Sequence, residues 1–216
     1  MLERMDLFFA ARLDVYDEHM LINIEGAREF YPYTAAQLPQ TADCHILDLG
    51  CGTGLELAYY FAANPTAMVT GIDLSKDMLA ALQTKFADKN IILHVGSYFD
   101  LPLGESLFDA AVSVESLHHF TKEEKCPLYK KLHQALKDGG YFILTDYFAP
   151  SEAEEVLYRR EFLRLKAEQG IEDDAFYHYD TPLTVEHETE ALLAAGFTRV
   201  EALNHWGATH ILKASK

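Results

Sequence analysis

The sequence predicts an α/β fold in which a doubly wound, seven-stranded and mostly parallel sheet ends in an antiparallel hairpin. Three observations predict it. Short apolar segments alternate with helical segments through the centre of the chain, the first apolar segment runs into a cluster of glycines, and two strand-like segments near the carboxyl end meet at Gly207. Apolar strands separated by helices are typical of a parallel sheet that is covered on both faces.

The central part of the chain supplies five strands and the helices between them. The strands are expected at 45–49, 67–74, 91–95, 108–114 and 141–147. A first helix is predicted over 55–63, and Ser75 can cap the second. The third helix begins with the T-x-x-E pattern of a capping box at Thr121, and its apolar stripe extends through Leu136 to the stop signal at Gly139.

Two regions outside this alternation are expected to cap the carboxyl edge of the sheet. Residues 1–40 read as a helical lid, and their candidate packing positions are Phe8, Phe9, Leu13, Tyr16 and Met20. Residues 151–180 form a helical insertion after the fifth strand, and its apolar face is predicted to carry Val156, Leu163 and Ala167. A last helix capped by Thr184 and a hairpin of two strands close the chain.

The charge of the chain limits the kinds of partner it can have. Eighteen basic residues stand against 34 acidic ones, which leaves a formal charge of −16 across 216 residues. Nucleic-acid binding depends on neutralising phosphates with Lys and Arg, and anionic membranes repel an acidic protein, so neither partner is expected. A small-molecule substrate fits this charge, and the oligomeric state stays open, with a homodimer as one option.

The cellular compartment is predicted from what the sequence lacks. Three cysteines, an odd number, are too few for a disulfide framework, which favours a reducing environment. No apolar stretch approaches the ~18 residues of a membrane span, and acidic residues interrupt the first segment, unlike a signal peptide. We therefore expect a soluble, cytoplasmic protein.

The strongest chemical signal is the segment Asp48–Gly54, DLGCGTG, which lies between the first strand and the first helix. Glycines at such a turn let the backbone approach a ligand closely, and ligands of open α/β sheets bind at the carboxyl ends of the strands. Asp73 ends the second strand, where a carboxylate can accept hydrogen bonds from both hydroxyls of a ribose. The pattern predicts a nucleoside site.

The glycine spacing argues against a dinucleotide. In the G-x-G-x-x-G fingerprint the third glycine falls on Leu55 when the count starts at Gly50, and on Leu57 when it starts at Gly52. Both registers fail, so a nicotinamide oxidoreductase is disfavoured.

Several motifs in order resemble those of class I, Rossmann-like S-adenosylmethionine-dependent methyltransferases that act on small molecules. They are ILDLGCGTG, GIDLSKDML, GSYFDLPL, FDAAVSVESLHHF and LKDGGYFILTDY, and they cover about residues 44–148. The insertion and the carboxyl-terminal tail are similar to those of carboxy-S-adenosylmethionine synthases and their relatives. On this basis we interpret 1–216 as a single methyltransferase domain, with 1–40 as the lid, 44–148 as the cofactor-binding core, 151–180 as the insertion, and 184–216 as the last helix and hairpin.

The resemblance implies S-adenosylmethionine as the cofactor and a role for each matching residue. Gly50, Cys51 and Gly52 would pass under the methionine moiety, while Asp48 would help to hold its ammonium group. Asp73 would bind the ribose. The remaining implied contacts are to the adenine, from Leu74, Met78, Ser97 and Tyr98, and to the sulfonium, from Glu115. Many relatives carry Asp where this chain has Ser97.

Other side chains are candidates on their chemistry alone. Tyr16 can line the lid over the cofactor, and His118 and His119 can accept a proton from a hydroxyl or amine acceptor. A loop histidine bonded to backbone or water is the alternative for both. No metal site is predicted, because the H-E-x-x-H pattern that starts at His187 lacks its second histidine and no C-x-x-C pair exists.

The predicted function is transfer of a methyl group from S-adenosylmethionine to a small-molecule acceptor. The first alternative is a carboxy-S-adenosylmethionine synthase-like enzyme, in which Arg159, Arg160 or Arg164 of the insertion would meet an extra carboxylate. The second is a non-catalytic regulatory module that only binds the cofactor.

Overall fold

The computed structural model describes residues 1–216. The eight α-helices are α1 (Met5–Ala10), α2 (Leu13–Asn23), α3 (Ala27–Gln37), α4 (Leu55–Ala63), α5 (Lys76–Lys85), α6 (Lys122–Ala135), α7 (Glu152–Glu168) and α8 (Val185–Ala194). The seven strands are β1 (His45–Leu49), β2 (Met68–Asp73), β3 (Asn90–Val95), β4 (Phe108–Val114), β5 (Leu136–Tyr147), β6 (Arg199–Trp206) and β7 (Thr209–Ser215). A 3₁₀ helix (Leu117–His119) follows β4.

The strands form one sheet in the order β3-β2-β1-β4-β5-β7-β6. The first five strands run parallel, whereas β7 pairs antiparallel with both β5 and β6. The predicted fold class, a mostly parallel seven-stranded sheet with an antiparallel terminal hairpin, is confirmed. The strand order reverses between β1 and β4, and ligands of open α/β sheets bind at such a point.

Burial along the strands follows their position in the sheet. In β1 and β4 nearly every side chain is buried, because helices cover both faces of the central strands. The edge strand β3 is more exposed, and about half of the Ile92 and Val95 side chains faces solvent. The apolar residues form two clusters. One includes residues of α6 and α8, and the other residues of α3, α4 and α5.

Three predicted helix caps are confirmed. The Ser75 hydroxyl accepts a hydrogen bond from the Met78 backbone N–H at 3.3 Å. Thr121 begins a complete capping box at the start of α6. Thr184 accepts a hydrogen bond from the His187 N–H at the start of α8. Each cap satisfies a backbone donor that the first turn of a helix leaves free.

Two local predictions were wrong. The helical stripe was expected to include Leu136, but α6 ends at Ala135 and Leu136 opens β5 in an extended conformation. Its side chain is fully buried in either conformation, so the apolar pattern could not distinguish them. The proposed apolar face of the insertion helix does not pack, because Val156 and Leu163 are each 58% exposed and α7 buries no residue.

The amino-terminal helices lie over the carboxyl edge of the sheet and are joined to the loop that follows α7. The Met5 N–H donates to the Phe176 carbonyl, and the His178 N–H donates to the Glu3 carbonyl, both at 2.9 Å. Of the predicted lid positions, Met20 is buried, while Phe8, Phe9, Leu13 and Tyr16 are half-buried. None of the helices combines the length and apolar character needed to span a bilayer.

Candidate active site

A small cavity opens at the carboxyl ends of β1, β2 and β4, where the strand order reverses. The lid closes it from above with Met5, Phe9 and Tyr16. Its other lining residues come from the loops after the strands and from α5: Gly50, Gly52, Asp73, Leu74, Met78, Tyr98, Glu115, Ser116 and His119. The structure therefore brings most of the residues implied for the cofactor to one cavity.

The glycine loop is shaped by close approach to its neighbours. Gly50 adopts a left-handed φ of 75°, and a Cβ built on it would lie 2.0 Å from the Ser116 Oγ. A side chain there would push the loop after β1 away from the loop after β4. Gly52 also has a positive φ, and a Cβ on it would face only the Tyr16 ring, at 3.8 Å. Gly52 thus presents open backbone to the cavity beneath the lid.

Asp73 organises this loop as well as lining the cavity. One carboxylate oxygen accepts the Gly52 N–H at 2.9 Å, and the other accepts the Ser75 N–H at 2.8 Å. Burial raises the pKa of Asp73, although these two backbone donors oppose that shift. Each carboxylate oxygen has two lone pairs, so Asp73 keeps the capacity to accept further hydrogen bonds from ribose hydroxyls.

Three of the residues implied for the cofactor do not line this cavity. Cys51 is buried, its Sγ packs against Gly71, and burial raises the pKa of its thiol, so it behaves as a small core residue. The Ser97 hydroxyl accepts the Phe99 N–H at 3.1 Å and shapes the loop after β3. Asp48 is 1% exposed and lies within β1.

Asp48 is paired with a residue that the sequence did not single out. Its carboxyl group lies within hydrogen-bonding reach of Glu56, at the start of α4, and one oxygen of each carboxyl has no partner. Burial raises the pKa of both groups. Two buried carboxyl groups without another donor are costly unless one of them holds a proton that the two share.

Replacing Glu56 with glutamine is expected to raise the free energy of unfolding near neutral pH by about 1–2 kcal/mol, since the amide can donate to Asp48. With raised pKa values, the folded state holds protons that the unfolded state has released. Stability therefore falls as the pH rises from the unfolded pKa values towards the raised ones. The variant should lose less stability across this window, measured by urea unfolding at several pH values.

The matched control is Glu186→Gln, which changes an exposed glutamate in the first turn of α8. Its stability should follow the same pH curve as the wild-type protein. If Glu56→Gln also follows that curve, the Asp48–Glu56 pair carries no titrating cost and this explanation is wrong.

A second, larger pocket of about 670 Å³ adjoins the first one. The two pockets share Phe9, Tyr16 and Glu115, which form the boundary between them. The second pocket is mainly lined by side chains of the lid, the loop before α8 and the terminal hairpin. The residues that line the second pocket include Phe8, Arg12, Val15, Met20, Ile24, Glu25, His118, Tyr147, His178, Asp180, Trp206, Ala208 and Thr209.

At this boundary the backbone of Glu115 has an unusual conformation. It has a φ of 50°, in the left-handed region that non-glycine residues seldom adopt, and its carboxylate accepts a hydrogen bond from the Thr209 hydroxyl at 2.9 Å. Burial, partly offset by the neighbouring His118, raises the pKa of Glu115 to about 7. The side chain is thus poised between its neutral and charged forms.

The two candidate catalytic histidines differ in their surroundings. His118 Nδ1 lies 2.5 Å from a carboxylate oxygen of Asp146, whose other oxygen accepts the Leu117 N–H at 2.8 Å. Burial disfavours the charged imidazole, but Asp146 and the other nearby carboxylates outweigh it and raise the pKa of His118 to about 9. His118 is therefore mostly protonated near neutral pH and is a poor proton acceptor there.

His119 lines the smaller cavity, and its Nδ1 lies 3.1 Å from a carboxylate oxygen of Asp180. Burial and the charge of His118 lower the pKa of His119, so its neutral form is favoured. His178 stacks on Phe8 with ring centroids 3.6 Å apart, and burial lowers its pKa to about 4. His119 is accordingly the better placed of the two predicted histidines to accept a proton.

Sequence reasoning missed Asp146, Asp180, His178 and Thr209. Asp146 lies at the end of β5, 28 positions from the histidine that it contacts. A carboxylate at the end of an apolar strand was the one available signal for it, because strand ends meet at the ligand-binding edge. His178 and Asp180 lie in a segment without periodicity, so their contacts depend on how that loop folds back.

The insertion arginines are not brought to the site. Arg159 pairs with Glu123 at 3.1 Å, and Arg164 pairs with Glu161 and Glu168 along the same helix. Both are about half exposed, and neither they nor Arg160 line either pocket. The geometry gives no support to a carboxylated cofactor held by these residues.

The sheet order, the glycine loop after β1 and the acidic residue that ends β2 are features that this chain shares with class I, Rossmann-like S-adenosylmethionine-dependent methyltransferases. A family model described as a methyltransferase domain matches residues 46–140. Residues 46–140, which are 95 of the 216, are therefore similar to a methyltransferase domain.

Two named relatives are similar to this chain over different shares of its length. The chain is 33% identical over 106 residues to the O-methyltransferase cnsE of Penicillium expansum, which covers 47% of this chain and 37% of that protein. It is 26% identical to the ubiquinone/menaquinone biosynthesis C-methyltransferase UbiE of Desulfotalea psychrophila, over 95% of this chain and 89% of that protein. The chain thus spans little more than a third of the fungal relative.

A solved structure extends the likeness to the whole fold. A putative O-methyltransferase from Nostoc punctiforme superposes with a TM-score of 0.72 over 99% of this chain and 62% of that one, at 17% identity. The likeness covers the lid and the insertion as well as the residues that the family model matches.

Proposed function

We propose that this protein transfers the methyl group of S-adenosylmethionine to a small molecule bound in the larger pocket. The observation that carries the proposal is the junction of the two pockets at Phe9, Tyr16 and Glu115. A cofactor in the smaller cavity would direct its methyl group towards a molecule in the larger one. Relatives named as O- and C-methyltransferases support the same reaction type.

The residues of the smaller cavity match the parts of the cofactor. Gly50 and Gly52 present backbone to the methionine moiety, Asp73 faces the ribose, and Leu74 and Met78 offer apolar surface to the adenine. When bound, S-adenosylmethionine supplies an electrophilic methyl group on a sulfonium sulfur.

The protein's own contribution is to position the acceptor and to exclude water. The lid covers the cavity with Met5, Phe9 and Tyr16, which removes competing solvent from the reacting atoms. Holding the acceptor in line with the methyl group converts a bimolecular encounter into an oriented, effectively unimolecular step. His119 is the side chain placed to accept a proton when the acceptor arrives as a hydroxyl.

The lining of the larger pocket favours an apolar acceptor that lacks a carboxylate. Phe8, Met20 and Trp206 supply apolar and aromatic surface. The acidic lining residues include Glu25 and Asp180, whereas the charge of Arg12 is paired with Glu3 at 3.1 Å. A neutral or cationic ring-bearing molecule fits this balance better than an acidic one, since like charges repel in a partly desolvated pocket.

Ala208→Leu is expected to lower kcat/KM for the acceptor by at least about tenfold, because the larger side chain would fill the acceptor pocket. The Kd for S-adenosylmethionine should not change, since Ala208 lies outside the smaller cavity. Acceptors are found by screening phenols, amines and thiols for release of S-adenosylhomocysteine, and the Kd is measured by calorimetric titration.

The matched control is Ala153→Leu, an exposed position on α7 that lines neither pocket. It should retain both kcat/KM and Kd. A protein that binds S-adenosylmethionine but releases no S-adenosylhomocysteine with any class of acceptor would instead be a regulatory module. Equal losses of kcat/KM in Ala208→Leu and Ala153→Leu would mean that the acceptor does not bind in the larger pocket.

A further inference from the structure

Three side chains with metal-binding groups converge beside the two pockets: His118 and Asp180 line the larger one, and His119 lines the smaller one. His118 and His119 come from the 3₁₀ helix after β4, and Asp180 comes from the loop before α8. Their ligand atoms all lie within 4.8 Å of one another. Both histidines are more than nine-tenths buried, so these imidazoles are not freely mobile surface groups.

The distances between these atoms match the spacing that a metal ion imposes. The nearest oxygen of Asp180 lies 3.6 Å from His118 Nε2 and 3.1 Å from His119 Nδ1. In a tetrahedral site with metal–nitrogen bonds of 2.0–2.1 Å and metal–oxygen bonds of 2.0–2.2 Å, neighbouring ligand atoms stand about 3.3–3.5 Å apart. The two separations that involve Asp180 bracket that value, and an ion would replace the contact of His119 Nδ1 to the Tyr179 carbonyl at 3.3 Å.

The outer contact of His118 is the one that metal-binding histidines make. Its Nδ1 contacts Asp146 at 2.5 Å, and Asp146 is itself held by the Leu117 N–H. A carboxylate on one imidazole nitrogen orients the ring and directs the other nitrogen to the metal. The other nitrogen, His118 Nε2, lies 3.6 Å from a carboxylate oxygen of Asp180.

The negative charge of the carboxylates around His118 also favours a bound cation. Glu115, Asp146 and Asp180 all lie within 4 Å of His118. Arg12, the one Lys or Arg that lines the larger pocket, is paired with Glu3. A dication would balance these carboxylates in place of a charged His118, because ligation needs a neutral imidazole.

We propose that His118, His119 and Asp180 bind a divalent first-row transition metal such as Zn²⁺, with an open coordination position facing the larger pocket. Two imidazoles and one carboxylate favour Zn²⁺ or Fe²⁺ over Mg²⁺ and Ca²⁺, which prefer oxygen ligands. Three protein ligands with a fourth position free are the arrangement of catalytic rather than structural zinc sites.

The site would act on the acceptor, and this part rests on the proposed function. A metal at the open position would hold a hydroxyl oxygen of the acceptor and favour its deprotonation. Because His119 would then be a ligand, the proton would pass to solvent and not to this histidine. The oxygen then forms the new bond to the methyl carbon, while the sulfur keeps the electron pair of the broken bond. The products are a methyl ether and S-adenosylhomocysteine.

The test measures metal binding without cofactor or acceptor, so that its outcome is independent of methyl transfer. Tag-free, chelator-treated protein is titrated with Zn²⁺ by calorimetry, and Co²⁺ is used as a spectroscopic probe of the ligands. We expect one ion per chain, no comparable binding of Mg²⁺, and at least tenfold weaker Zn²⁺ binding in Asp180→Asn. Asp180 is 48% exposed at its side chain, so this variant should fold, which circular dichroism checks.

The control is the double variant His205→Gln, His210→Gln, which removes a stacked histidine pair on the terminal hairpin that is not part of the proposed ligand set. It should bind Zn²⁺ like the wild-type protein. The proposal is overturned if no ion binds, if Asp180→Asn binds as tightly as wild type, or if binding is lost only in the hairpin variant. Failure of the methyl-transfer assay would leave these results unaffected.

Discussion

Asp73→Ala is expected to weaken the binding of S-adenosylmethionine by about a hundredfold. Hydrogen bonds to a charged group are each worth about 1.5–3 kcal/mol, and the carboxylate would lose its bonds to the ribose hydroxyls. It would also lose the bonds from the Gly52 and Ser75 N–H groups that hold the glycine loop in place. Calorimetric titration with S-adenosylmethionine and S-adenosylhomocysteine measures the change.

Two variants separate these contributions. Asp73→Asn keeps one side-chain oxygen that can accept the Gly52 N–H. Its affinity for S-adenosylmethionine should therefore lie between those of the wild type and Asp73→Ala. Asp77→Ala removes an exposed aspartate from the first turn of α5 and should bind like wild type. An unchanged Kd in folded Asp73→Ala would mean that the ribose is bound elsewhere and that the smaller cavity is not the cofactor site.

Glu188→Ala is expected to destabilise the fold by about 3–5 kcal/mol, the largest stability change predicted for a single substitution in this chain. Glu188 and Lys125 are each 1% exposed and lie 2.6 Å apart, between α8 and α6. The hydroxyl of Tyr129 also donates to Glu188. Removing the carboxylate leaves a buried ammonium group without a partner.

Thermal unfolding should show this loss as a fall in Tm of roughly 10 °C. Glu190→Ala is the matched control, because it breaks an exposed ion pair to Lys122 on the same two helices and should not shift Tm measurably. The double variant Lys125→Met, Glu188→Leu should recover part of the stability, since it leaves no unpaired charge. A single variant as stable as wild type would show that the pair contributes no net stabilisation.

The residues that the sequence identified correctly are those whose role depends on neighbours in the chain. Ser75, Thr121 and Thr184 satisfy backbone donors within their own first helical turn, so a short pattern was sufficient to predict them. The strand bounds of β1 and β4 were likewise predicted from apolar segments of the right length. By contrast, the prediction of a packed apolar face on α7 was wrong. Periodicity indicates which residues share a face of a helix, but not whether another element covers that face.

The sequence by itself determined the sheet, the glycine loop and the acidic residue that ends β2, and with them the class of cofactor. These features arise from local backbone geometry and from the rule that ligands meet the carboxyl ends of parallel strands. Only the tertiary structure decided which groups surround the acceptor. Asp146 and Asp180 reach His118 from 28 and 62 positions away along the chain. Such contacts depend on how irregular loops fold back across the sheet, and no periodic pattern in the chain records them.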